Sequence, residues 1–380
     1  MPDFTSSVSN IQIQRGVGTS KNGGSAFGAS VNLQTNGLIK NKYLNTSNTL
    51  GSFNTVKNNI EFGTGLLDNN LSFDGRVSRI NSDGYIDRSF SDLKSFYLSG
   101  GYYGKNSTIK AIVFTGNERT YQAWYGVPKT YLNTNRTFNP YNYENEVDDY
   151  GQTHFQLHYN EQINNKTFLN LATHYTQGSG YYEQYKGSEY NSLINFGAEA
   201  TLADYGISDT TINGDTISTT NLVRRKWLDN DFYGFTFSLN HSSNKINFIL
   251  GGAANSYSGA HFGRVVSTEI HGDLDHEYYR NDATKNDMNI YLRTDYTITN
   301  KLNAYLDLQT RFINYTFEGF NENGDIANQT VDLRFFNPKY GLFYSLSNNS
   351  SFYVSYSEGK REPNRNDYIE SSPNSRPKPE

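Results

Sequence analysis

Cysteine is absent from this 380-residue chain, which excludes a disulfide framework, a thiolate metal site and a cysteine nucleophile together. No run approaches the roughly eighteen apolar residues that a membrane helix needs. The opening MPDFTSSVSN lacks the charged start and apolar centre of a signal peptide, so either the protein is not exported or its true beginning lies upstream. Charge is sparse as well. The formal net charge of -5 comes from interspersed signs, leaving neither a basic stripe for nucleic acid nor an acidic tail. Only 35% of the residues are hydrophobic, too few for a large dry core.

Aromatics and glycines are plentiful instead: 31 Tyr, 24 Phe and 33 Gly against 8 Pro. Asn, Ser and Thr separate short apolar groups, a composition for many strands joined by turns and hence an all-β fold. Period-two alternation recurs along the chain. In KLNAYLDLQTRF, Leu302, Ala304, Leu306, Leu308 and Phe312 share one face while Asn303, Asp307, Gln309 and Arg311 share the other. NDMNIYLRTDYTI, SFYVSYS, FQLHY, LSFDGRV and FTFSLN divide the same way. Roughly thirteen strands result, each near the ten-residue length that crosses a bilayer on a tilt.

The connections are sorted by length. Short turns near residues 68, 104, 164, 242, 299 and 347 alternate with long polar loops expected over 118–150, 178–230, 256–284 and 316–336. Short turns at one end and long loops at the other are the asymmetry of an antiparallel transmembrane β-barrel. A soluble sandwich can alternate equally well, but has no reason to sort its loops by end. The wet inner face predicts a wide lumen that holds a channel or a plug.

The stretch NIQIQRGVGTSKNGGSAFGASVNLQT resembles the closing segment of the plug domain of TonB-dependent outer-membrane receptors. The matching residues are Arg15, Gly16, Gly18, Ser20, Gly23 or Gly24, Ala26, Phe27, Gly28, Val31, Asn32 and Thr35. GSFNTVKNNIEFGTG, NSDGYIDRS, TYQAWYGVP and YSEGKREPNRNDYIE look like barrel segments of the same family. A phosphate loop is the rival reading of the glycines, but no Gly-Lys-Ser/Thr closes it and no helix pattern follows. As turn residues they need no ligand.

The resemblance implies a division at residue 38: the end of a plug over 1–38, then the first part of a barrel over 39–380, about 13 of its 22 strands. It further implies an outer-membrane receptor of a Gram-negative bacterium that binds a scarce nutrient complex outside and imports it to the periplasm. An iron-siderophore chelate is the foremost cargo, with cobalamin, haem or oligosaccharide as alternatives. The implied partners are the TonB-ExbB-ExbD energising complex, whose docking box is not within this chain, the lipid bilayer and the small cargo; no nucleic acid and no cofactor is implied. An aromatic-rich adhesin without transport is the alternative of another class. Enzyme readings find no support, because none of His154, His158, His174, His241, His261, His271 and His276 stands beside a nucleophile elbow or in an HExxH motif.

Three loop features are candidate cargo contacts. Tyr121, Trp124, Tyr125 and Tyr131 offer ring faces for stacking, against the simpler reading of loop packing. His261, Arg264, His271 and His276 are expected in one loop, where spaced imidazoles either bind metal or are merely solvated. Arg361, Glu362 and Arg365 in KREPNRNDY are read as packing or contact residues. Within the barrel, a hairpin register with partner numbers summing to about 328 sets His154 across from His174 on the lumen side. Arg15 is expected to reach a wall carboxylate, with Asp74, Asp287, Asp295 and Asp307 as candidates, since a charge in a crowded lumen needs a partner or water.

Overall fold

The computed structural model describes residues 2–23, 27–188, 197–326, 328–371 and 375–380. Two strands, β1 (Val8–Arg15) and β2 (Ala29–Thr35), form a separate hairpin. The next strands are β3 (Tyr43–Gly51), β4 (Thr55–Gly63), β5 (Leu71–Ser82), β6 (Ser91–Tyr103), β7 (Ser107–Tyr121), β8 (Val147–Asn164) and β9 (Thr167–Lys186). Four short strands, β10 (Ala200–Thr201), β11 (Thr210–Ile212), β12 (Asp215–Ile217) and β13 (Thr219–Thr220), decorate the connection that follows. The wall resumes with β14 (Leu222–Ser242), β15 (Ile246–Thr268), β16 (Gly272–Thr299), β17 (Leu302–Phe320), β18 (Gln329–Ser347) and β19 (Ser350–Ser357), and a short helix, α1 (Arg365–Ile369), comes last.

The thirteen long strands make one antiparallel meander in sequence order, from β3 to β19 with the four short strands left out. The outermost strands, β3 and β19, each have one neighbour, so the sheet is open. Alternation sets its two faces. Leu306 is 40% exposed on the convex side, whereas Asp307, one residue on, is 2% exposed in the trough. Register carries the apolar face from strand to strand: Leu292 pairs with Leu308, Met288 with Phe312, and Leu306 with Tyr340. With Ile290, Phe336 and Leu342 these side chains form a half-buried to exposed apolar belt, the pattern of the lipid-facing band of a membrane barrel.

Two expected long loops are strands. The stretch over 256–284 is a hairpin that turns only at 269–271, and 316–336 turns only at 321–328. Above the apolar belt both faces of a strand meet water or polar lumen, so the alternation that reveals a strand fades while the backbone ladder continues. The connections 122–146 and 187–221 remain long.

The β1–β2 hairpin lies in the trough. Its register pairs Ile11 with Leu33 and Ile13 with Val31. Gly16 closes its turn-ward end at φ +75, donating its N–H to the Gly28 carbonyl at 2.8 Å, a backbone region where a Cβ is disfavoured. Asn32 donates to Asn22, which in turn donates to Gln14 and Ser30. Gly18 is buried beside this amide ladder. Gly24 and Ala26 lie outside the described residues.

The latch differs from the expected one. Arg15 is exposed and forms no ion pair among the described residues. The tip docks through its own neutral groups instead: the Ser20 N–H and the Thr19 hydroxyl donate to Asp307 at 3.0 and 3.2 Å, and the Ser20 hydroxyl accepts from Lys339 at 2.8 Å. Lys339 sits opposite Asp307 in the register, so the carboxylate already has a cation beside it and a buried guanidinium has nothing further to neutralise. A second anchor holds the chain's start: Asp3 accepts from Lys57 at 2.6 Å, from Arg76 at 3.1 Å and from Ser78.

Candidate functional site

The tallest strands rise well beyond the belt and enclose a chamber of about 640 Å³ at the loop-bearing end of the trough. Inward positions supply its walls: Tyr150 from β8, Tyr182 from β9, Lys226 from β14, His261 from β15 and Tyr279 from β16. Aromatic rings with a few polar groups are what a small-molecule site requires. Glu118 and Asp148 stand on the β7–β8 side. Burial, then the charge of Glu118, pushes the Asp148 carboxyl up to about 6.

The remaining wall comes from the segment after β19, which folds back into the trough rather than outward. Asn364 caps α1 by accepting from the Asp367 N–H, while Asp367 accepts from the Asn364 N–H. Tyr368 is buried against Tyr315 and Phe317. Glu362 accepts from Arg311 at 2.7 and 2.9 Å and from Lys285 at 2.6 Å. Arg311, 0% exposed, also donates to Asp287, so every charge in this buried group faces its opposite. Burial alone would raise the Glu362 carboxyl, but the Arg311 hydrogen bonds and charge, with those of Lys285, bring it down to about 2. Docked in this way, the segment presents Arg365, Asn366, Ile369 and Glu370 to the chamber.

Comparison with solved structures returns outer-membrane importers of similar fold. The ferric-catecholate import receptor Fiu from E. coli K12 matches with a TM-score of 0.68 at 14% identity, over 93% of this chain and 60% of that one. The siderophore receptor PiuA from Acinetobacter baumannii matches at 0.70 and 11%, over 93% and 54%. The copper transporter OprC matches at 0.70 and 10%, over 94% and 51%. No family model and no curated sequence matches the chain. The chain carries the fold of a TonB-dependent outer-membrane receptor. It spans between half and three fifths of the length of these receptors.

On the receptor fold the sequence candidates fall in different places. Tyr121 is buried, its hydroxyl donating to the Tyr143 carbonyl at 2.7 Å. Trp124 and Tyr125 are exposed; Trp124 meets the chamber residue Tyr182 edge-on at 5.4 Å, and Tyr125 meets Tyr141 at 5.7 Å. Tyr131 stacks on Phe138. The four residues expected in one loop do not converge. His261 is in the chamber wall, His271 lies in the turn against Thr210, His276 bonds the Tyr205 carbonyl at 2.7 Å, and Arg264 pairs outward with Asp275.

His154 and His174 share the lumen face but are diagonal, because partner numbers sum to 330: His154 faces Thr176, and His174 faces Gln156. The ladder begins at Asn164 and Thr167, a sum of 331, and a register shift between Gln162 and Asn164 makes it 330, two above the expected value. His154 stacks on Phe114 at 4.4 Å and bonds Thr176, while His174 bonds Asn255, so each ring is engaged elsewhere. Sequence reasoning missed Tyr150, Tyr182, Lys226 and Tyr279. Their signal was the inward parity that the register carries along these strands above the belt.

Proposed function

We propose that this chain, a plug end over 1–38 and a barrel part over 39–380, belongs to an outer-membrane importer. It binds a scarce nutrient complex, foremost an iron-siderophore chelate, in the chamber and releases it to the periplasm when the TonB-ExbB-ExbD complex displaces the plug. The supporting observation is the stacking of three parts along one trough: an aromatic chamber on the loop-bearing side, a plug hairpin below it fixed by side-chain hydrogen bonds, and a lipid belt around both. Side-chain hydrogen bonds are individually worth about 1 kcal/mol, so a mechanical pull can undo them one by one. Fiu, a ferric-catecholate import receptor, and PiuA, a siderophore receptor, share the fold. Deletion of the complete gene followed by growth on defined iron sources tests the reading. Loss of growth on one ferric chelate, restored by the gene, is the expected result; unimpaired growth on every chelate, with a defect on haem, cobalamin or an oligosaccharide instead, overturns the iron assignment.

A further inference from the structure

Three cations stand together where the chamber meets the connection 187–221. Lys226 lines the chamber, and the register sets Arg224 two residues along β14 on the same inward face. Lys186 on β9 pairs with Leu222, one diagonal step from Arg224. Diagonal neighbours on one sheet face stand about 7 to 8 Å apart. Like charges at that spacing repel, and burial with the neighbouring cations holds both lysine amines below their ordinary range.

The counter-charge is thin. Among the described residues Arg224 donates only to neutral partners, the Tyr205 hydroxyl at 3.1 Å and the Gln184 side chain at 3.0 Å, and its buried Nε has no partner there. Neither Arg224 nor Lys186 forms an ion pair among the described residues. Lys226 forms one, with Glu322, an exposed residue of the 321–328 turn. Electrostatically that carboxylate also faces Arg224 and Lys186, and Glu146 faces Lys186 as well. Tyrosines frame the group: Lys226 lies over the Tyr182 ring at 5.9 Å and Arg224 over Tyr205 at 5.8 Å. Tyr278 and Tyr279 approach so closely over Gly263 that a Cβ there would collide with both rings. The Tyr278 hydroxyl is a buried donor with no partner.

We propose that Lys186, Arg224 and Lys226 form an anion subsite of the chamber, that the Glu322 carboxylate occupies it in the empty protein, and that an anionic metal chelate binds by displacing Glu322. The cations lie on the β9–β14 side and the carboxylates Glu118 and Asp148 on the β7–β8 side, so the chelate's negative groups point toward β14. Displacement also frees the 321–328 turn, coupling occupancy to a change at the outer surface.

This inference rests on the chamber being the cargo site, and it makes a sign prediction that loss of structure does not mimic. The complete receptor, purified in detergent, is titrated with a triply negative ferric tris-catecholate and with a positively charged ferric trihydroxamate as control. Removing the internal competitor with Glu322→Gln is expected to tighten tris-catecholate binding about tenfold, and Lys226→Gln to weaken it about tenfold, with the trihydroxamate little affected by either. Weaker, unchanged or absent tris-catecholate binding by Glu322→Gln overturns the subsite, as does tighter binding of the trihydroxamate than of the tris-catecholate by the unmodified receptor. Heat-modifiable migration of both variants reports barrel assembly. Growth on iron chelates separates the two readings: a receptor that supports growth yet gains nothing from Glu322→Gln loses the subsite and keeps the uptake function.

Discussion

Neighbouring residues on a barrel strand meet different solvents, and Leu306 and Asp307 show what that does to a substitution. Leu306 faces outward in the apolar belt, so Leu306→Arg places a charge in hydrocarbon and is expected to cost roughly 2 to 4 kcal/mol if it lies near the midplane. Unfolding of the complete receptor from liposomes in denaturant measures it. Asp307→Ala, one position along and combined with Lys339→Ala so that no buried charge is left unpaired, should leave that transition nearly in place and loosen the plug, since it removes the partners of Ser20 and Thr19. Trypsin cleavage after Lys21 reports the loosening. Equal destabilisation by the two changes, with no new cleavage, would refute the division into lipid and lumen faces. Faces were legible at this scale because only one of two side chains tolerates lipid. Partners were not: the sequence marks Arg15 as a charge in need of a counter-ion, but nothing in it shows that Asp307 lies opposite Lys339 and leaves its remaining oxygen lone pairs to a serine N–H.

Elements were legible in the belt and blurred above it, for the reason that turned two predicted loops into strands. Alternation reports a difference between two environments, and where both are wet only length and aromatic content remain. The returning segment after β19 was similarly hidden, since KREPNRNDY reads as a polar outer loop until Arg311 is known to await Glu362. Its docking carries a pH signature. The Glu362 carboxyl is lowered from an ordinary 4.5 to about 2 in the folded state, so its contribution is complete above 4.5 and is lost as pH falls toward 2. Amide hydrogen exchange over 360–370 should therefore stay protected at pH 6 and rise steeply below pH 4, relative to the intrinsic rate. Glu362→Lys should expose the segment at pH 6, with trypsin cutting after Arg361 and Arg365 on intact cells. The exchange Lys285→Glu with Glu362→Lys should restore protection only in part, because it rebuilds one opposite-charge pair but sets a second cation against the buried Arg311. A segment that stays protected in Glu362→Lys would assign the docking to Tyr368 packing alone.

For the whole molecule the decisive feature is the open sheet. Thirteen strands curve around the hairpin and stop at β3 and β19, each with one edge unpaired. Phe352, Tyr353 and Val354 on β19 are all exposed, so this edge combines free backbone donors and acceptors with aromatic surface on both faces. Such an edge is a template for pairing with another chain. The 380-residue chain expressed by itself is expected to self-associate through β3 and β19, while the same chain with both edges covered by further strands stays monomeric. Analytical ultracentrifugation in detergent distinguishes the two. A monodisperse monomer of the isolated chain would mean that the edges close on each other, at a circumference too small for both the hairpin and the chamber. Charged replacements on the edge, such as Tyr353→Lys with Val354→Lys, should then reduce association of the isolated chain without touching the chamber, since β19 contributes no residue to it.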